Sequence, residues 1–193
     1  MFNRGYYNDR NLTTIPYKQS SAMNQYPTYV LSFIIIVIVF FAISKPGHAE
    51  TEKWLGEFQD WTAVSFSEDG RHGCYVVSKP KKEEGTYTQR GPAYVLVTRR
   101  QGASTDVVSF QAGYRFKEES DVQVTIDGKS WKLFTDSEIA WAYDGEDKML
   151  VDRMQQGKRM VVVGTSWRGT ETKDTYSLFG FTKAYTEILD ACR

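Results

Sequence analysis

Nucleophilic catalysis, acid-base catalysis and metal binding each demand particular residue types at particular spacings, and this 193-residue sequence supplies few of them. The run Gly164-Thr165-Ser166-Trp167-Arg168-Gly169 resembles a nucleophile elbow, but an elbow is Gly-x-Ser-x-Gly and the second glycine here comes one place late. It reads as a strand end and a turn. His72, between Gly70 and Gly73, reads as a solvated histidine in a hairpin loop. Carboxylates cluster at Glu68/Asp69, at Glu118/Glu119 with Asp121, and at Asp144 with Glu146/Asp147. A glycoside hydrolase needs two carboxyls about 5–10 Å apart, yet each of these clusters adjoins a predicted turn, where solvated acids are ordinary. Asp144-Gly145-Glu146-Asp147 also misses the spacing of a calcium loop. A four-ligand zinc site of cysteine and histidine is nearly excluded, because the chain has two of each and His48 precedes the domain, leaving His72 as the only histidine within it. The expectation is no catalytic residue, no cofactor and no metal, with an envelope hydrolase using surface carboxylates as the alternative.

Charge narrows the partners. The chain has 24 basic and 24 acidic residues, so the basic face of a usual nucleic-acid binder is not expected. With 15% aromatic residues it can build a packed core, and one domain is the default at this length.

Val30 to Ser44, VLSFIIIVIVFFAIS, has no charge and is followed by Lys45-Pro46-Gly47-His48-Ala49. Fifteen residues are short for a bilayer span of about 20 but suit the apolar core of a secretory signal, about 7–15 residues long. Pro46, then Gly47 and Ala49 at minus three and minus one, fit cleavage after Ala49. Residues 1–49 are therefore read as a signal peptide and 50–193 as a single exported domain, in the periplasm or secreted. The long stretch before the apolar run supports the alternative, an inner-membrane anchor holding the domain on the periplasmic side; membrane contact is expected only in that form. Met23 is a second candidate start. Cleavage removes Arg4, Arg10, Lys18, Lys45 and Asp9, taking the 24 basic and 24 acidic residues to 20 and 23.

Cys74 and Cys192 both survive cleavage and would meet an oxidising compartment, where an even pair is usually bridged. The other reading, a reactive thiol, has little support, because Cys74 has only Arg71 and His72 nearby in sequence and no Cys-X-X-Cys partner to lower its pKa.

From Glu57 onward the dominant period is two, which predicts strands at Phe58–Phe66, Cys74–Lys79, Ala93–Arg100, Val107–Ala112, Val122–Ile126, Ser130–Phe134, Ile139–Tyr143, Met160–Thr165 and Thr175–Phe179. Asp127-Gly128 predicts a two-residue hairpin pairing Ile126 with Lys129, Val124 with Trp131 and Val122 with Leu133. Lys79 to Lys82, offset by Glu83 and Glu84, reads as a solvated loop. Glu146 to Gln156 predicts a short helix ended by Gly157. Phe181, Ala184, Tyr185, Ile188 and Cys192 follow helical spacing, so a C-terminal helix aims Cys192 at the core and towards a bridge with Cys74. Trp61 is expected between two sheets. These elements make an all-β antiparallel β-sandwich with a short peripheral helix and a C-terminal helix.

Several stretches carry a family resemblance. Phe58-Gln59-Asp60-Trp61, the strand Gly73-Cys74-Tyr75-Val76-Val77, the run from Met154 through Gly157 to Val163, and Ser177-Leu178-Phe179-Gly180-Phe181-Thr182-Lys183-Ala184 followed by Cys192 resemble the invasion-associated locus B family. The resemblance implies a small exported protein of a Gram-negative bacterium with an immunoglobulin-like sandwich. Phe58, Asp60, Trp61, Gly157, Ser177, Leu178, Gly180, Phe181 and Ala184 are its motif residues, and no catalytic residue comes with them. Members often carry a further cysteine after the Asp-Trp, where Thr62-Ala63-Val64-Ser65-Phe66 has none. The implied role is non-catalytic binding within the bacterial cell envelope, with an envelope or host protein of unknown identity as partner.

Overall fold

The computed structural model describes residues 51–193; the leader read at 1–49 lies outside the described residues. Eleven strands and two helices follow in the order β1 (Thr51–Phe58), β2 (Trp61–Glu68), β3 (Arg71–Ser78), β4 (Lys82–Gly85), β5 (Tyr94–Arg100), β6 (Val107–Gln111), β7 (Val122–Ile126), β8 (Lys129–Asp136), β9 (Ile139–Ala142), α1 (Asp147–Gln156), β10 (Arg159–Thr165), β11 (Glu171–Ser177) and α2 (Phe181–Ala191). One hydrogen-bonded order, β1-β2-β3-β5-β6-β9-β8-β7-β10-β11-β4, joins them, and every neighbouring pair is antiparallel. The sheet curls until its two halves face each other. Phe110 of β6 meets Tyr176 of β11 edge to face at 6.3 Å, and buried Val76, Val97, Val124, Leu133 and Met160 fill the space between the halves. The fold class read from the sequence, an antiparallel β-sandwich with one short and one C-terminal helix, is what the chain forms.

The Asp127-Gly128 hairpin has the expected register, Ile126 to Lys129, Val124 to Trp131 and Val122 to Leu133. Both turn residues take positive φ, 44° and 87°, as the twist of a two-residue hairpin requires. Elsewhere the alternation misled. The segment read as one strand from Phe58 to Phe66 is the end of β1 and most of β2, separated by a turn in which Gln59 has a φ of 56°. Gln59, the residue that takes the positive φ, is neither Gly, Asn nor Asp, and Asp60 alone did not mark the turn. β4 was read as a loop because charged residues fill it. It is an edge strand paired with Thr172–Thr175 of β11, and Glu84 meets Lys82 at 2.9 Å and Lys173 at 3.8 Å. Charges suit an exposed edge because they discourage pairing with another chain. His72 is exposed as expected, but it lies in β3 opposite Ser67 rather than in a loop. Reaching β4 carries the chain from β3 across to β11 and back to β5, and residues 86–90 ride on that crossing.

Candidate functional site

The motif residues come together although they are more than a hundred residues apart. Phe58, Asp60 and Trp61 flank the β1–β2 turn, and Ser177 to Ala184 form the β11–α2 junction. Trp61, 1% exposed, donates its Nε1–H to the Ser177 carbonyl at 3.0 Å and meets the Phe181 ring edge to face at 4.8 Å. It therefore packs beneath α2, not between the sheets as the sequence suggested. The Asp60 N–H reaches the Phe179 carbonyl at 3.3 Å, and Ser78 Oγ donates to the Asp60 carbonyl at 2.6 Å. Gly180 has a φ of 92°, and a Cβ there would stand 1.8 Å from the Phe58 carbonyl oxygen, so the junction accepts only glycine. Gly157, after α1, is excluded from bearing a side chain by Ile126 and Leu178, 2.5 and 2.9 Å from where its Cβ would lie. Leu178 and Ala184 are buried. Each motif residue has a packing or hydrogen-bonding reason to be there, and the cluster fastens α2 to the sheet.

Asp60 also forms an ion pair with Lys81. Hydrogen bonds from Lys81 and then Ser177 hold its carboxyl below the ordinary value of 3.8 against a smaller opposing effect of burial. An acid with a lowered folded-state pKa contributes stability above its unfolded value, and that contribution is lost as pH falls through the folded one. Lys81 is 58% exposed, which limits the pair to under about 1 kcal/mol. Asp60→Asn is expected to cost no more than that at pH 7, and the gap from the native protein should close as pH drops below 3.8; urea unfolding at several pH values measures both.

Cys74 of β3 and Cys192, just beyond α2, form a disulfide with a Cα–Cα distance of 6.0 Å and a sequence separation of 118. The helical spacing had aimed Cys192 inward, and both cysteines are buried. Beside them, Tyr185 of α2 donates to Asp106 Oδ2 at 2.5 Å, and burial followed by that bond pushes the phenol up to about 12. Arg99 Nε approaches Asp106 Oδ1 at 2.9 Å as an ion pair whose angle is too poor for a hydrogen bond. This cluster also ties α2 down.

The acidic clusters do not assemble a catalytic pair. Glu118 is 88% exposed and bound loosely to Arg115 at 3.8 Å. Asp121 is taken by Lys132 at 3.0 Å and Tyr143 at 3.3 Å. Asp147 differs from the expectation of a solvated acid: half-buried at the start of α1, it accepts the Val108 N–H at 2.8 Å, and burial raises its pKa despite that bond. The late glycine of the elbow-like run makes a turn, as expected, with Gly169 N–H bonded to the Ser166 carbonyl at 2.8 Å.

That turn borders a cleft the sequence did not reveal. Residues 86–90 form one wall and Ser166 to Thr170 the other, with Tyr114 and Thr172 between, enclosing about 420 Å3. Its floor is Arg90, whose side chain is 2% exposed. Both guanidinium ends pair with Asp174, at 2.7 and 2.5 Å, while Nε donates to the Ala112 carbonyl at 2.8 Å. Burial alone would lower the pKa of Arg90, but the hydrogen bonds and charge of Asp174 outweigh it and raise the pKa further. The Tyr87 and Tyr114 rings lie 5.7 and 5.2 Å from the guanidinium, and Tyr114 shares a 2.6 Å hydrogen bond with Thr172. Ion pair, rings and hydroxyls hold the floor rigid. At the rim Trp167 is 60% exposed, with the Arg168 guanidinium 4.8 Å from its ring. Trp167 also lines a second hollow of about 470 Å3 with Arg115, Phe116, Lys117 and Glu118. Among the described residues no carboxylate lines the first cleft. The sequence reading took Trp167 as part of a turn and nothing more; a tryptophan inside a four-residue turn was the one signal that could have marked this site.

Comparison with known proteins bears on the whole domain. The family model described as invasion associated locus B (IalB) protein matches residues 61–189. Among solved structures, the chain is similar to invasion associated protein b from Bartonella henselae, with a TM-score of 0.50 and 15% identity, covering 70% of this chain and 96% of that one. At that identity the likeness is one of fold. No curated protein matches the chain.

Proposed function

The chain belongs to the invasion associated locus B family, and from that membership we propose that it is an exported, non-catalytic binding domain of the bacterial cell envelope, acting from the periplasm or after secretion. The observation that carries the binding role is the cleft beside Trp167. An exposed indole above a floor of paired side chains, among hydroxyls and the Arg168 guanidinium, can hold a ligand, and no carboxylate of the described residues lines that cleft; the adjoining hollow has one, Glu118, not the pair that a hydrolase uses. A hydrolase would need acids converging on that hollow, and the acidic clusters are instead engaged elsewhere or spread on the surface. The partner is an envelope or host component, and the short apolar run before residue 50 supports export.

Two experiments test this reading. N-terminal sequencing of the protein from fractionated cells should find Glu50 first, in the soluble periplasmic fraction; an intact residue 1 in the membrane fraction would replace cleavage with the anchored form. Purified protein mixed with isolated envelope should sediment with it, lose that property on Trp167→Ala, and release no soluble fragments. Fragment release by the folded protein would make it the hydrolase.

A further inference from the structure

We infer that the cleft between residues 86–90 and the Ser166–Thr170 turn binds a short acidic saccharide, with Trp167 as the platform for a sugar ring and Arg168 as the counter-ion for its carboxylate. The inference rests on the binding role and names its ligand class.

A globular domain gains by burying an indole, and Trp61 of this chain is 1% exposed where Trp167 is 60% exposed. Trp167 stands where the two hollows meet, so a ligand longer than one ring would cross it. Both hollows have the size of small-ligand sites, about 300–1,000 Å3. A sugar presents an apolar C–H face to such a ring and hydroxyls to the surroundings. Thr88, Gln89 and Thr170 line the cleft with side-chain polar groups that have no partner among the described residues.

The charge points to an acid. Asp174 neutralises Arg90, whereas Arg168 and, in the second hollow, Lys117 have no carboxylate partner among the described residues. In the second hollow the one acid, Glu118, is matched by Arg115 at 3.8 Å, so Arg168 and Lys117 leave a net cationic rim on a domain whose acidic residues outnumber its basic ones by 23 to 20 after residue 49. The Arg168 guanidinium is held over one face of the indole, which leaves the other face for the sugar, and a carboxylate on that sugar meets the placed charge around the ring edge. A single-stranded nucleic acid would also stack on Trp167, but its phosphates need a longer basic track than this rim provides.

Calorimetric titration of the exported protein with trigalacturonic acid and with neutral maltotriose tests the assignment. Acidic trisaccharide should bind at least tenfold more tightly than neutral. Trp167→Ala should weaken it at least tenfold and Trp167→Phe much less, and Arg168→Gln should remove most of the preference for the acid while leaving maltotriose unchanged. An acidic lipopolysaccharide core oligosaccharide and a chondroitin tetrasaccharide serve as further arms, separating a bacterial from a host source; Trp167-dependent binding of either supports the inference. Equal affinity for acidic and neutral sugars, binding unaffected by Trp167→Ala, or no binding of any acidic saccharide would overturn it. If no saccharide binds while Trp167-dependent sedimentation with envelope persists, the ligand class fails and the binding role stands; if both fail, so does that role.

Discussion

Trp61→Ala should cost about 3–5 kcal/mol from the buried volume it removes. Loss of the edge-to-face contact with Phe181 adds about 0.5–1.5 kcal/mol, and the Ser177 carbonyl loses its donor. Small domains are stable by only about 5–15 kcal/mol, so the variant should be largely unfolded or melt about 10–15 °C lower. Trp61→Phe restores a ring against Phe181 without the Nε1–H and should recover more than half of the loss. Thermal unfolding followed by circular dichroism reads both. A native-like melting temperature for the alanine variant would show that the junction of β1, β11 and α2 does not depend on this residue.

The disulfide has the second large effect. It spans 118 residues, for which the chain-entropy model gives roughly 5 kcal/mol, and native bridges in small exported domains are worth about 2–5 kcal/mol. Replacing both cysteines by serine should lower stability by that amount. A reductant should lower the native protein to the same level and leave the double variant unmoved, which separates the bond from the serine hydroxyls. Free-thiol labelling of the native, unreduced protein should find neither cysteine reactive.

How far the sequence foretold this molecule depended on whether local chemistry and global position agreed. At Asp127-Gly128 turn residues, alternation and burial give one answer, so the register was readable before the fold. β1 was missed for a physical reason: its ladder with β2 shifts register between Trp54 and Gly56, so alternation breaks and the outward residues are mostly polar. β4 was missed because an edge strand has no buried face to impose a period. Cys192 was readable because helical spacing fixes a direction. The cleft was not, since Arg90 and Asp174 are 84 residues apart and meet only because the chain crosses to β4 before returning to β5. Polar residues from two connecting segments have no period of their own. The family motif was legible as a pattern, and its residues pack and hydrogen-bond at the junction of α2 with the sheet.

If Trp61 and the disulfide hold the domain together and Trp167 serves only the proposed binding role, one paired measurement on Trp167→Ala separates the two. A photoreactive benzoylphenylalanine at position 87, on the wall of the cleft, is irradiated in intact cells with Trp167 present or replaced, and the melting temperature of each protein is recorded. The expected result is a discrete adduct that disappears with Trp167→Ala while the melting temperature stays within about 2 °C, as befits a side chain outside the core. An adduct that survives Trp167→Ala, or a loss of adduct accompanied by unfolding, would contradict the assignment of this cleft as the binding site.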